Sequence, residues 1–285
     1  VAAGKSLIKL AVFGQPIAQS LSPLIHPQFA AQFGLEIEYR AIESSVDDFP
    51  AKVNQLADSG ALGCNITAPL KRAAYDVAQE RSPEAGLAQA VNTLVFRGPN
   101  DWFGTTTDGG GLLRDLRRVM ANDQGFDLRD RRILIVGAGG AAAGVIMPLL
   151  QQAPACLVIA NRDKAKAEAL AQRFSPIGKI TSCALSDSPS HGPFDLLINA
   201  TSLGHQGLAP ELASDCFSAH SFCYDLNYGE AAKAWESLCV QRGLLFSDGL
   251  GMLVEQAALS FELWTGHAPG TEKVLANLRD RFAAA

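Results

Sequence analysis

Arg131-Arg132-Ile133-Leu134-Ile135-Val136, running straight into Gly137-Ala138-Gly139-Gly140-Ala141-Ala142-Ala143-Gly144, is the stretch that decides the fold. The apolar run 133–136 reads as a strand buried on both faces, as strands of a parallel sheet are. The glycines form the turn, and an apolar helix follows. A strand, a glycine turn and a helix N-terminus together suit a pyrophosphate, because free amides and the positive end of the helix dipole point at it. Gly137 permits the tight turn, Gly139 lets the backbone approach a phosphate, and Ala142 stands where a third glycine often sits. The loop lies near the middle of the chain. A complete second module must precede it, and that module should hold the chemistry.

The strand after the loop, 156–160, ends in Asn161-Arg162, with Lys166 further on. An NAD-binding chain usually carries an acid there to hold the ribose 2′-hydroxyl. The acid is missing, and a guanidinium matches a phosphate with parallel hydrogen bonds. This favours NADP over NAD, with Asp163 as the one nearby anion against it.

Outward from this core, the chain alternates strands and helices, which argues for a parallel α/β sheet. Before the loop, strands are expected at 10–13, 36–42, 61–66 and 92–96, with helices over 46–57 and after Pro69. Ser22-Pro23 and Gly34 bracket a helix as N-cap, N1 proline and C′ glycine. Pro27 lacks an amide, so the regular helix is expected only from Pro27. Asp108-Gly-Gly-Gly111 begins a helix to about Met120, and 122–130 reads as a polar linker. After the loop come helix 140–152, strand 156–160, helix 163–173, strands 195–199 and 221–226, helix 231–241, and two tail helices at 249–264 and 271–282.

The 285 residues are 48% hydrophobic and 19% charged, with a net charge of −5. Such a chain buries one large or two ordinary cores. Nothing in it resembles the clustered cations of a nucleic-acid-binding protein. No apolar run approaches a membrane span, and the N-terminus has no signal-peptide pattern. Six cysteines without Cys-x-x-Cys spacing make a zinc site unlikely and read as free thiols, so a cytoplasmic protein without a metal is expected. The five histidines show no ligand spacing.

The chemistry is expected in three segments of the first module: Gly14-Gln-Pro-Ile-Ala-Gln-Ser20-Leu-Ser22-Pro23, Gly63-Cys-Asn65-Ile-Thr67-Ala-Pro69-Leu-Lys71, and Ala90-Val-Asn92-Thr93 followed by Gly104-Thr-Thr-Thr107-Asp108-Gly109. They supply hydroxyls, an amide, a cation and an anion at strand ends and turns, where ligand-facing groups concentrate. Taken singly, each has a plainer role: Lys71 as a helix-start lysine, Asp108 as an N-cap, the serines as turn residues; His26, near Ser22, reads as packing, with a part in positioning substrate as its alternative. Their joint occurrence argues for a site.

With these segments, and with Asn161-Arg162, Asn199-Ala-Thr201-Ser202, Tyr224-Asp225-Leu-Asn-Tyr228 and Asp248-Gly249-Leu-Gly-Met252-Leu-Val-Glu-Gln256-Ala, the chain resembles the shikimate dehydrogenase family over nearly its whole length. The family reduces 3-dehydroshikimate to shikimate with NADPH on the route to aromatic amino acids. The resemblance implies two α/β domains with the active site in the cleft between them. A discontinuous substrate-binding domain would comprise 1–107 and 249–285, and a Rossmann-type NADP-binding domain 108–248. It implies Lys71 and Asp108 as the catalytic pair. Ser20, Ser22, Thr67, Asn92, Tyr228 and Gln256 would bind the substrate. Gly137, Ala138, Gly139, Gly140, Ala141, Asn161, Arg162 and Lys166 would hold NADP, with Thr201, Leu226, Gly249 and Met252 on the nicotinamide side. A small-molecule substrate is implied, with no nucleic acid or membrane partner, for a monomer or homodimer. Gln19, Pro27, Thr106, Ala143 and Leu226 depart from the family pattern, which bears on substrate preference and cofactor contacts. A quinate/shikimate dehydrogenase of broader specificity and a non-catalytic NADP-binding sensor remain open.

A reduction by hydride leaves an alkoxide that needs a proton and charge stabilisation. A lysine ammonium supplies both, since free lysine has a pKa of about 10.4. A neighbouring Asp108 would keep it protonated.

Overall fold

The structure, a computed structural model, describes residues 7–121 and 127–283. Of the expected linker over 122–130, residues 122–126 lie outside the described residues. The chain divides into two compact units, Val1–Gly111 with Val254–Ala285, and Leu112–Leu253. Both divisions fall inside continuous helices, not at loops.

The first unit is built on a six-stranded sheet. Its elements in chain order are β1 (Ile8–Gly14), α1 (Ser22–Gln32), β2 (Ile37–Glu43), α2 (Phe49–Asp58), β3 (Gly63–Ile66), α3 (Lys71–Val77), β4 (Glu80–Arg81), α4 (Pro83–Ala88), β5 (Thr93–Gly98) and β6 (Asp101–Thr105), with α5 (Asp108–Met120) leaving the unit. The order is β2-β1-β3-β5-β6-β4. β1 pairs in parallel with β2 and β3, whereas β5 runs antiparallel to β3 and β6. The sheet is therefore mixed, where alternation alone suggested a parallel one. From Leu10 to Phe13, β1 is apolar because both its faces are covered. Ala11 and Phe13 enter one core with Phe49, Ile66 and Leu94, and Leu10 and Val12 enter another with Ile17, Tyr39 and Trp264.

Helix α1 corrects one expectation. It is continuous through Pro27, whose exposed ring costs the middle of the helix one internal amide donor. Leu21 stands at the N-cap and Ser22 is the first helical residue, while Gly34 takes the left-handed turn at φ 63°.

The second unit has a six-stranded, wholly parallel sheet. β7 (Arg132–Val136), α6 (Gly140–Leu150), β8 (Cys156–Asn161), α7 (Lys164–Phe174), β9 (Ile180–Ala184), β10 (Phe194–Asn199), β11 (Phe217–Asp225), α8 (Lys233–Gln241) and β12 (Leu245–Ser247) follow in sequence, and α9 (Leu250–Thr265) and α10 (Glu272–Ala283) close the chain. The order β12-β11-β10-β7-β8-β9 is that of a dinucleotide-binding sheet, with strand order reversing between β7 and β10. Leu134, Val136, Val158, Ala160 and Leu197 pack on one face with Trp235 and Cys239, and Ile133, Ile135, Leu157 and Ile159 are buried on the other. That two-sided burial is why these strands read as unbroken apolar runs.

Among the described residues, no helix is long and apolar enough to cross a membrane, no group of three or more His, Cys, Asp or Glu could hold a metal ion, and the six cysteines are free.

One packing constraint is testable. The Trp264 indole donates to the Leu94 carbonyl at 2.9 Å, directly over Gly63, where a Cβ would collide with both groups. Gly63→Ala is expected to lower stability by roughly 1–3 kcal/mol, through overpacking. Urea denaturation should show a lower midpoint at unchanged slope.

Candidate active site

In the first unit a lysine and a carboxylate meet at the ends of β3, β5 and β6. Lys71 starts α3, and its carbonyl accepts from Val91 N at 2.9 Å, which ties it beside Asn92. Its Nζ lies 2.5 Å from Asp108 Oδ2. Asp108 is not the cap of α5. Gly111 N bonds to the Thr107 carbonyl, so Thr107 holds that place and the Asp108 carboxylate is left for Lys71 and Asn92.

Asn92 organises the cluster. Its Nδ2 donates to Asp108 Oδ1 at 2.8 Å and lies 3.1 Å from Gln256 Oε1, and its Oδ1 accepts from Thr107 N at 2.9 Å and Thr93 Oγ1 at 2.8 Å. Lys71, Asp108, Asn92 and Gln256 are thus brought together. Both carboxylate oxygens of buried Asp108 are satisfied, which such a group requires. Ser20, Ser22 and Thr67 stand outside this cluster: Ser20 Oγ accepts from Ser22 N at 3.4 Å, and Thr67 caps the turn into α3 through its carbonyl. The sixth residue assigned to substrate, Tyr228, belongs to the second unit, where burial raises its phenol above the ordinary range.

Sequence reasoning gave no roles to Asn65, Thr93, Thr107 and Ser260, which complete the network. Asn65 Nδ2 reaches Ser260 Oγ at 3.0 Å and Thr93 Oγ1 at 3.2 Å. The available signal was the position of Asn65 and Thr93 on neighbouring strand ends, where they pair in register.

In the second unit the glycine loop crosses from β7 to α6. Gly137 has φ 116°, and a Cβ there would lie 2.9 Å from the Ala200 carbonyl, so the tight turn excludes a side chain. Gly139 is the N-cap of α6, with no capping side chain and open space beside it. Ala138, Gly140 and Ala141 continue this partly exposed backbone. At the end of β8, Asn161 Nδ2 donates to the Asp163 carbonyl at 3.0 Å. The Asp163 carboxylate caps α7, accepting from Ala165 N and Lys166 N, which answers the objection that it faces a phosphate unengaged. Arg162 is exposed, with no hydrogen-bond or ion-pair partner among the described residues, and Lys166 is 3.9 Å from Asp163. Free amides at a helix start and an unengaged guanidinium past the second strand fit a phosphorylated dinucleotide.

Thr201, Leu226 and Gly249 converge at the carboxyl ends of β10 and β11. Asn199 Oδ1 accepts from Thr201 Oγ1 at 2.8 Å, Leu226 N donates to the Asn199 carbonyl at 2.9 Å, and a Cβ on Gly249 would lie 2.6 Å from the Leu226 carbonyl. Met252 follows, buried on α9. Beneath them Asp225 is fully buried and accepts from Asn199 and Asn227, yet burial still raises its carboxyl to about 6.

Residues 12–94 match the family described as the shikimate dehydrogenase substrate binding domain, 119–225 match shikimate/quinate 5-dehydrogenase, and 249–279 match the shikimate 5′-dehydrogenase C-terminal domain. A shikimate dehydrogenase (NADP(+)) of Nitrosospira multiformis is 46% identical over 275 residues, covering 96% of this chain and 98% of the relative. The crystal structure of an Ael1 enzyme from Pseudomonas putida is 40% identical, with a TM-score of 0.83, covering 95% of this chain and 98% of that one. A shikimate 5-dehydrogenase of Thermus thermophilus, in complex with NADP(H) and shikimate, is 30% identical with a TM-score of 0.80, covering 96% of this chain and 99% of that one.

The raised Asp225 carboxyl has a definite pH signature. Between its unfolded value of 3.8 and its folded value of about 6, the folded chain holds a proton that the unfolded chain releases. Its contribution to stability is therefore full below the lower value and is lost as pH rises through the upper one. Asp225→Asn, which stays neutral, should gain Tm relative to the parent as pH climbs from 4 to 7. A pH-independent difference would contradict the burial argument.

Proposed function

Since the chain belongs to the shikimate dehydrogenase family, we propose that it interconverts shikimate and 3-dehydroshikimate with NADP, reduction of the ketone being the direction that serves aromatic amino acid biosynthesis. The observation that carries this reading is the Lys71–Asp108 pair at 2.5 Å, held in place by Asn92. NADPH supplies the hydride. Lys71 donates a proton to the developing alkoxide and balances its charge, and in the reverse direction it receives that proton. Asp108 orients the ammonium and balances its charge. Ser20, Ser22, Thr67, Asn92, Tyr228 and Gln256 bind the hydroxyls and carboxylate of the substrate.

The cofactor is held by the backbone of 137–141 at its pyrophosphate and by Asn161, Arg162 and Lys166 at its 2′-phosphate. Thr201, Leu226, Gly249 and Met252 line the nicotinamide side. In this reading 1–107 with 249–285 serve the substrate and 108–248 serve NADP. The enzyme acts in the cytoplasm as a monomer or homodimer, on a small acid and without a nucleic-acid or membrane partner.

Steady-state kinetics with shikimate and quinate, each with NADP and NAD, test the assignment. The highest kcat/KM is expected for shikimate with NADP. Equal use of quinate would instead mark the broader quinate/shikimate activity, and tight NADPH binding without turnover would mark a sensor. Lys71→Ala should lower kcat by about 10²–10⁴, the usual worth of a general acid–base group. Wild-type turnover in that variant would refute the proton-transfer role. Arg162→Ala should raise KM for NADP by roughly 10- to 100-fold, the loss of charge-assisted hydrogen bonds, and leave KM for NAD unchanged. An undiminished NADP preference would refute the phosphate contact.

A further inference from the structure

A tyrosine and a histidine, neither used by the mechanism above, lie buried in the first unit on the far side of Asn65. Tyr39 projects from β2 into the apolar cluster of Leu10, Val12, Ile17 and Trp264. His26, from α1, is fully buried, stacks on Tyr39 with ring centroids 4.2 Å apart, and meets Phe29 edge-on. Phenylalanine or leucine would fill both places without burying polar atoms. The polar atoms share a target in Asn65, and the Tyr39 hydroxyl also meets the Ser22 side chain. Tyr39 Oη donates to Asn65 Oδ1 at 2.7 Å, and His26 Nε2 lies 3.2 Å from the same oxygen.

The surroundings fix the orientation of that amide. Asn65 Nδ2 faces the Asn92 carbonyl at 3.3 Å, which only accepts, so the other end of the carboxamide must be the oxygen. That oxygen needs donors, so His26 carries its proton on Nε2. His26 Nδ1 is then a bare acceptor, and it is buried with no partner. Burial lowers His26 to about 3, which keeps the ring neutral in this tautomer at working pH. A side chain that leaves one buried nitrogen unsatisfied gains nothing for the core through that atom. Its other nitrogen holds Asn65.

From Asn65 the hydrogen bonds run on without a break. Its Nδ2 meets Thr93 Oγ1 and Ser260 Oγ, Thr93 donates to Asn92 Oδ1, and Asn92 Nδ2 donates to Asp108, which holds Lys71. We propose that Tyr39 and His26 are positioning residues for the reaction: they clamp the Asn65 carboxamide, and through Thr93 and Asn92 that clamp sets the placement of Asp108 and Lys71. The proposal rests on the reading of Lys71 and Asp108 as the proton-transfer pair.

A double-mutant cycle between Tyr39→Phe and Asn65→Ala tests it, with kcat for shikimate, KM for NADP, NADP-binding capacity and Tm measured on each variant. Tyr39→Phe should lower kcat about five- to tenfold, the effect of one hydrogen bond lost to a buried amide, with NADP-binding capacity and KM for NADP unchanged. Asn65→Ala should lower kcat further, and adding Tyr39→Phe to it should cost nothing more. Wild-type kcat in Tyr39→Phe overturns the proposal. So does a loss that merely tracks NADP-binding capacity, or one that persists in full without Asn65. If Asn65→Ala does not fold, His26→Leu replaces it: a kcat loss at full NADP-binding capacity supports the clamp, and wild-type kcat overturns it. Lys71→Ala, run alongside, separates the two readings. If it keeps turnover, the proton-transfer assignment itself fails, whatever Tyr39→Phe does.

Discussion

The carboxamide of Asn92 is the interaction on which the first unit's polar centre depends. It joins parts of the chain far apart in sequence: the start of β5, the turn into α5 and the middle of α9. Only an amide answers the demands made there. Its nitrogen faces the Asp108 carboxylate and the Gln256 oxygen, and its oxygen receives Thr107 N and the Thr93 hydroxyl. A carboxylate in its place would repel Asp108. An apolar side chain would leave a buried anion with one oxygen unpaired, at a cost of several kcal/mol.

The two units hold their candidate site groups in different ways. The first buries an anion and satisfies it with a lysine and a network of neutral amides and hydroxyls. The second leaves the groups proposed to meet the cofactor unengaged: bare amides at the start of α6 and an unpaired guanidinium at Arg162. Exposed groups keep their hydration until a phosphate replaces it, so they need no internal partner. Buried Asp225, at the carboxyl end of β11, is bonded to Asn199 and Asn227 and still shifts upward. Neutral donors compensate burial of a carboxylate only in part.

How much was legible in the sequence follows from the same physics. In strands β7, β8 and β10 the stretches 133–136, 156–160 and 196–198 are continuous apolar runs because both faces are covered, and the glycine loop is fixed by a turn that Gly137 alone can make. α5 and the two tail helices read correctly to within a residue or two. Short elements were missed. β4 has two residues and β12 three, and β9 is an edge strand of mixed polarity. Pro27 misled because the helix runs on past the one internal bond it loses, with Ile25, His26, Phe29 and Ala30 buried on either side of it. The residue types at Lys71, Asp108 and Asn92 were visible as chemistry at strand ends. Tyr39, by contrast, reads in its strand as one more large apolar residue, and its hydroxyl acquires a meaning only when β2 is laid beside β1 and β3.

The most direct measurement is steady-state kinetics on Asn92→Ala, in which Lys71 and Asp108 are both still present. If Asn92 sets the geometry of the proton-transfer pair, kcat should fall at least about tenfold even at saturating shikimate, the scale of one charge-assisted hydrogen bond. An unchanged kcat with a raised KM for shikimate alone would contradict the account, and would leave Asn92 as a substrate contact only.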